Sequence, residues 1–363
     1  MGISRFLLKY FWRHPRSPEA VQRLESVRDL LVLELAGLGD AVMLTPFFRE
    51  LKQARPELRV SVLTSSRAAK VLENNPHIDC HYVASGPWSV IRLIPALRRQ
   101  RFDALLNAYT LATDFGALKM AALMSLMGGG LLMGRNQQDR GKFFHLSVRE
   151  EAEKLHEVER TMAMLPLLGA SLPPKPWPLE VFPQPQHAHE ARKAVEPYQG
   201  RTLVCLHPHS FRPTRSWPLE SFMSLGEALA SEDKLVPLFT VARDDPPEIV
   251  AALREKGFPI FVSESPLSLA ALYDHAACVV VNDTGPMHLA VARSALLVAL
   301  IGPSETRFLP SGEDSIVLRH PVVCSPCYYF DCPMETHCMT LISVKEVKSA
   351  VRCMVDKNSK GQG

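Results

Sequence analysis

Cys278-Val-Val-Val-Asn-Asp-Thr-Gly-Pro-Met-His-Leu-Ala290 is the stretch on which the fold reading turns. A β-branched run ends in Asn282-Asp283, and the apolar pattern then shifts from that of a buried strand to that of a helix. Asp283 and Thr284 are both N-cap residue types. Pro286 suits the first helical turn, where its missing N–H is no loss. The spacing predicts a strand over Cys278–Asn282, a tight turn, and a helix from Pro286 to Ala292. Such a turn leaves the N–H groups of Thr284, Gly285, Met287 and His288 without partners inside the helix. A helix start of this kind is an anion site, and a diphosphate is its obvious guest. His288 can donate to a phosphate oxygen there, or act as a structural hydrogen-bonding group.

The same alternation extends to both sides. Strands are predicted at Thr202–His207, Leu235–Val241, Pro259–Val262 and Leu296–Ile301, with helices at Leu219–Ala230, Pro247–Lys256 and Leu267–His275. Nearer the N-terminus, a strand over Leu30–Leu35 leads into the loop Ala36-Gly-Leu-Gly-Asp40 and a helix over Ala41–Ala54, which Pro56 ends. A strand at Arg59–Leu63, a basic helix at Val90–Gln100 and a strand at Ala104–Asn107 follow. Strands alternating with helices imply parallel βαβ units. Six prolines between Ser171 and Pro185 cannot sit in a helix or a central strand, so this segment reads as a linker. The expected organisation is a basic leader (1–28), an N-terminal domain (29–170), a proline-rich linker (171–186), a C-terminal domain (187–352) and a tail (353–363).

Length and composition agree with this division. A chain of 363 residues is comfortable for two domains, and 47% hydrophobic with 22% charged residues is ordinary for a soluble globular protein. The formal charge of +3 is too small for a nucleic-acid binder. Ala117–Gly134 is the most apolar run, but Lys119 and Gly128-Gly129-Gly130 interrupt it, so it reads as a buried helix, a turn and a short strand. No secretory signal is visible, and the expected protein is cytoplasmic, soluble or peripheral on the inner face of the cytoplasmic membrane. The leader combines Arg5, Lys9, Arg13 and Arg16 with Phe6, Tyr10, Phe11 and Trp12. It suits either an interfacial helix on an anionic membrane or an extension packed on its own domain.

A strand, a glycine loop and a helix at residues 30–54 invite a dinucleotide reading, which fails. The fingerprint needs a glycine where Val42 stands and an acid about 20 positions on, where Leu63-Thr64-Ser65-Ser66 has none. Asp40 carries a different chemistry. A carboxylate at a strand's C-terminal edge can take a proton from an attacking hydroxyl, or it can simply cap the helix. Gly37 and Gly39 allow close approach in the same loop. After the strand at Thr202–His207 comes the basic loop His207-Pro-His-Ser-Phe-Arg-Pro-Thr-Arg-Ser-Trp217. Its Ser210, Arg212, Thr214 and Arg215 can all donate to phosphate, although a solvated loop would look the same.

These three segments together resemble glycosyltransferase family 9, the ADP-heptose:lipopolysaccharide heptosyltransferases. The resemblance runs from about Leu30 to Val351, and Asn282-Asp-Thr-Gly-Pro-Met-His-Leu-Ala290 and Leu38-Gly-Asp-Ala-Val-Met-Leu-Thr-Pro46 are its most specific pieces. Pro266-Leu-Ser-Leu-Ala270 and Ile301-Gly-Pro-Ser-Glu305 add to it. It implies an α/β fold of the GT-B type: two Rossmann-like domains with parallel sheets facing an interdomain cleft. It also implies an inverting, metal-independent transfer of a heptose or related sugar from an ADP-sugar donor, needing no cofactor. The acceptor would be lipid-linked oligosaccharide of the lipopolysaccharide inner core, with a membrane surface as a partner. By this resemblance Asp40 is the general base, while Asp283, Thr284, Gly285 and His288 hold the donor diphosphate and neighbouring sugar. Arg215 stands where the family tends to have lysine, and Ser210-Phe211 where some members have Thr-Thr. Arg215 retains a cation for the leaving group, while the hydroxyl lost at Phe211 leaves the donor's identity open. A nucleotide-sugar epimerase or hydrolase, or a non-catalytic nucleotide-sugar-binding protein, are the competing readings. The first lacks acid/base partners on the donor sugar, and the second would be favoured by loss of Asp40, which is present.

Two further features are read from residues alone. Arg92, Arg98, Arg99 and Arg101, with Arg135, Arg140 and Lys142, suit an acidic acceptor or an ordinary solvated face. Cys324, Cys327, Cys332 and Cys338 bring four thiols close in sequence, with His337 beside them. A structural zinc, two disulfides or a redox pair, and free packed thiols all remain open. Cys205 and Cys278 lie in apolar runs and read as buried thiols.

Overall fold

The computed structural model describes residues 24–149, 155–232, 234–310, 312–334 and 337–361. The leader up to residue 23, and with it the interfacial-helix reading, lies outside them. Among the described residues the chain divides into two compact units, one ending at Pro178 and the other beginning at Leu179. No helix among them is long and apolar enough to cross a membrane.

In the first unit the strands are β1 (Asp29–Glu34), β2 (Arg59–Ser65), β3 (Cys80–Ala84), β4 (Ala104–Asn107), β5 (Leu131–Asn136) and β6 (Leu146–Arg149). They form one parallel sheet in the order β3-β2-β1-β4-β5-β6. Central β1 is sealed on both faces, with Leu30, Leu31, Val32 and Leu33 wholly buried, which is why its sequence is a continuous apolar run. Helices cover the sheet. Met120, Met124 and Met127 from the helix Asp114–Met127 and Leu97 from the helix Pro87–Gln100 meet Leu31, Leu33 and Leu105 in one core.

The second unit repeats the plan. Its strands are β7 (Thr202–His207), β8 (Leu235–Ala242), β9 (Ile260–Ser263), β10 (Cys278–Asn282), β11 (Leu297–Leu300) and β12 (Ser315–Leu318). All pairs are parallel, in the order β12-β11-β10-β7-β8-β9. Read from β9, this is the 3-2-1-4-5-6 arrangement of the first sheet. Trp217 anchors the core, packing edge-on to Phe222 at 5.0 Å and donating its indole N–H to the Ile342 carbonyl at 2.8 Å.

Three expectations change. The helix expected over Ala41–Ala54 is two, Leu38–Met43 and Thr45–Ala54, divided at Leu44. Pro46 has no N–H to carry the first helix through, so a new helix starts with that proline in its first turn. Asp40 lies in the first turn of the first helix, at its entry as expected. The expected tail is helical: the helix Val344–Gly361 continues past residue 353, buries Met354, and pairs Lys357 with Asp314 at 2.8 Å. Strands β3, β6 and β12, all sheet edges, had no sequence counterpart.

Candidate active site

In sheets of this order, ligand crevices form at the carboxyl ends of the strands where the chain reverses direction, here between β1 and β4 and between β7 and β10. Both motifs leave the sheet at those positions.

At the first, β1 ends in Glu34 and continues through Gly37 and Gly39 to Asp40. Gly37 is the extended N-cap of the short helix. Having no side chain, it cannot cap, and its own N–H donates to the Asp40 carboxylate at 3.2 Å. Asp40 is thus a cap as well as a candidate base, and it remains half-buried. Glu34, 3% exposed, accepts from the Ala36 N–H at 2.8 Å. Arg135 at the end of β5 donates to Glu157 at 2.5 Å and to the Thr110 hydroxyl at 2.8 Å. Arg135 is 1% exposed, which corrects its reading as part of a cationic surface. Arg140 and Lys142 are likewise committed, to Asp114 and Asp139.

One guanidinium thus pairs with Glu157, and its charge also reaches Glu34 and Asp40. Burial, and then the negative charge of Asp40, push the Glu34 carboxyl up to about 8, and the Ala36 N–H and Arg135 do not offset this. Burial, and then Glu157, raise the Asp40 carboxyl as well, against the pull of the Gly37 N–H and Arg135. Burial, followed by Glu34 and Asp40, also raises the neighbouring Tyr109 phenol. Both Glu34 and Asp40 therefore hold a proton to higher pH than free carboxyls would, beside the Arg135–Glu157 pair. Sequence reading missed Glu34 and Glu157. The signal available was an acid closing an otherwise apolar strand, since such a position is buried and charge there needs partners.

At the second edge, β10 delivers Asn282, fully buried, whose amide accepts from the Trp217 N–H at 2.9 Å and donates to the Pro208 carbonyl at 2.8 Å. One side chain therefore ties both ends of the basic loop to the turn after β10. Asp283 accepts from the Ser304 hydroxyl and pairs with Arg215 at 3.2 Å. Its carboxylate aims the guanidinium and does not cap the helix. Thr284 is the extended N-cap of the helix Gly285–Ala292, and its hydroxyl makes no cap bond. The Met287 N–H, expected to be available to an anion, donates to the Thr284 carbonyl at 3.0 Å. His288 is buried in the first turn and Ser210 is buried in the loop, where the Ser216 hydroxyl reaches its carbonyl at 3.5 Å. Phe211 is exposed and stands edge-on to Phe330 at 6.1 Å.

The cysteine segment is bound into this site rather than lying apart from it. Cys327 donates its N–H to the Pro303 carbonyl at 2.9 Å, and Arg319 bridges the Ser304 carbonyl and the Ser325 hydroxyl. The Thr214 hydroxyl donates to the Tyr329 carbonyl at 3.0 Å. Cys324 is exposed, Cys327 and Cys332 are half-buried, and Cys338 is buried. Burial first, then the charges of Cys332 and Cys324, push the Cys338 thiol up. Among the described residues no group of three or more histidine, cysteine or acidic side chains is arranged to hold a metal ion. All eight cysteines are free thiols in this structure.

Lipopolysaccharide heptosyltransferase 2 of Escherichia coli K12 is 28% identical over 303 residues, covering 77% of this chain and 84% of that protein. A glycosyl transferase of family 9 from Veillonella parvula superposes with a TM-score of 0.75 at 18% identity, covering 91% of this chain and 98% of that one. The E. coli ADP-heptose lipopolysaccharide heptosyltransferase II superposes with a TM-score of 0.70 at 19% identity, over 91% and 99% of the two chains. The shared fold is GT-B, with two Rossmann-like units. Residues 90–337 match glycosyltransferase family 9 (heptosyltransferase), and the chain belongs to that family.

Proposed function

We propose that this family member transfers a heptose from ADP-heptose, with inversion, to a lipid-linked inner-core oligosaccharide at the inner face of the cytoplasmic membrane. The observation that carries the reading is the Asp40 carboxylate. It sits at the β1/β4 edge with its proton affinity raised by burial and by Glu157, so it is a stronger base than a free aspartate while Arg135 keeps it ionisable. Asp40 takes the proton of the acceptor hydroxyl as its oxygen bonds to the anomeric carbon, and the bond to the ADP oxygen breaks. Attack opposite the leaving group inverts that carbon. Charge then builds on the departing diphosphate. Arg215, aimed by Asp283, the first turn of the helix Gly285–Ala292, and His288 offset it, with Ser210 and Thr284 as hydroxyl donors. This donor set needs no cofactor, and with cations supplied by the protein it needs no bound divalent ion. Gly37 and Gly39 leave room for the acceptor beside Asp40. The similarity to a relative named for ADP-heptose supports the choice of donor.

Calorimetric titration with ADP, UDP and GDP in the presence of EDTA tests the donor side. Selective ADP binding that survives the chelator is expected, and preference for another nucleotide would overturn the donor assignment. Asp40→Asn should leave ADP affinity intact and lower the transfer rate about 10²- to 10⁴-fold. An Asp40→Asn protein with full transfer activity would refute the base role.

A further inference from the structure

The helix Pro87–Gln100 turns one face to the core, where Leu97 is buried and Val90 and Leu93 pack against the sheet-side cluster. Its other face is unusual. Trp88 is 77% and Ile91 52% exposed, and Arg92, Pro95, Arg98 and Arg99 are exposed as well. Positions 88, 91, 92, 95, 98 and 99 fall on one stripe at helical spacing, about three turns long. None of Arg92, Arg98, Arg99 or the following Arg101 has an ion-pair partner among the described residues, whereas Arg135, Arg140 and Lys142 of the same unit are all neutralised. The next helix, Asp114–Met127, packs beside this one and exposes Phe115 and Leu126.

We infer that the outer face of the helix Pro87–Gln100 is a lipid-contacting surface that seats the first unit on a bilayer bearing anionic headgroups. A soluble acidic ligand would be held by the arginines alone and would leave Trp88 and Ile91 in water. At a membrane interface the indole and the isoleucine enter the headgroup region, while the arginine stems lie along the surface and their guanidiniums meet lipid phosphates. Four uncompensated cations match the negative potential of such a leaflet. Two apolar anchors with a polybasic patch is the two-signal combination that gives stable but reversible attachment. This assignment rests on the reading that the acceptor is held in a membrane, and it places a contact on this helix.

The test is flotation of the full chain with vesicles of phosphatidylcholine alone and of phosphatidylcholine with about one third phosphatidylglycerol. Binding to the anionic vesicles and little to the neutral ones is expected. Trp88→Ser/Ile91→Ser and Arg92→Gln/Arg99→Gln should each lower the partition coefficient about tenfold or more, with unchanged circular dichroism and ADP affinity. If the parent chain floats with neither vesicle, both this assignment and the membrane reading fall. If the parent binds and both variants bind equally well, this face is refuted while membrane attachment stands, through another segment. Equal binding to neutral vesicles would refute the electrostatic part.

Discussion

Glu34 offers a direct test of the buried cluster. Its carboxyl titrates near 4.5 in an ordinary setting and is pushed up to about 8 in the fold, first by burial and then by Asp40. Below the unfolded value the group is neutral in both states and costs nothing. As pH rises, the unfolded chain releases the proton freely while the fold retains it, so stability falls until the pH passes about 8, where the loss is complete. Each pH unit between the two values is worth about 1.4 kcal/mol, so the ceiling is about 5 kcal/mol, of which about 3 kcal/mol develops between pH 5 and pH 8. Glu34→Gln keeps an oxygen for the Ala36 N–H and cannot ionise. The variant should therefore gain on the parent as pH rises. For a unit of this size 3 kcal/mol corresponds to a difference in thermal midpoint on the order of 10 °C. Differential scanning calorimetry of both proteins at half-unit intervals from pH 5 to 8.5 reads this, following the transition of the unit that contains residue 34. A midpoint difference that stays constant across the range would refute the proton-holding role and the environment inferred for the cluster.

Removing the one cation of that cluster should be severe. Arg135→Met leaves Glu157 buried without its partner and should cost about 3 to 5 kcal/mol by denaturant unfolding, whereas Arg135→Met/Glu157→Leu should recover much of the loss. Thiol chemistry separates the cysteines. Burial pushes Cys205 up to about 12 and raises Cys278 as well, so neither should react with a disulfide reagent in the native protein, while exposed Cys324 and Cys353 react readily. Labelling of Cys205 without unfolding, read by mass spectrometry, would contradict the packing described around β7.

The central strands were legible because burial on both faces demands an unbroken apolar run, and Leu30–Leu33, Val204–Leu206 and Val279–Val281 supply one. The edge strands were not. Cys80–Ala84, Leu146–Arg149 and Ser315–Leu318 are half-exposed, so polar residues such as His81 and Arg149 are tolerated and the apolar signal fades. The site divides in the same way. Asp40, Arg215 and the turn from Asp283 to His288 sit in short contiguous motifs, where loop chemistry shows in sequence. Glu34, Arg135 and Glu157 come together only through strand order, since β5 reaches the β1 edge by way of β4. A charge at the end of an apolar strand hints at burial, but its partners can be named only once the sheet is assembled. The tail failed for a related reason: the apolar face of Val344–Gly361 becomes meaningful when Val347, Val351 and Met354 meet the core of the second unit.

The two units use one topology to opposite electrostatic ends. At the β1/β4 edge Arg135 pairs with Glu157, and burial and neighbouring acids raise the proton affinity of Glu34 and Asp40. Burial and Glu157 raise the proton affinity of Asp40, which fits the base role proposed for it. At the β7/β10 edge the acid Asp283 is spent on Ser304 and Arg215, so it presents the guanidinium rather than its own charge, beside the positive end of a helix. That arrangement suits a leaving diphosphate. On the function proposed above, separate edges avoid a conflict, because a strong base beside a dense cation cluster would have its proton affinity lowered. The same strand order can serve both tasks because the crevice at the switch point is set by topology. Its charge is set by a few side chains at the strand ends and by those held behind them in the sheet.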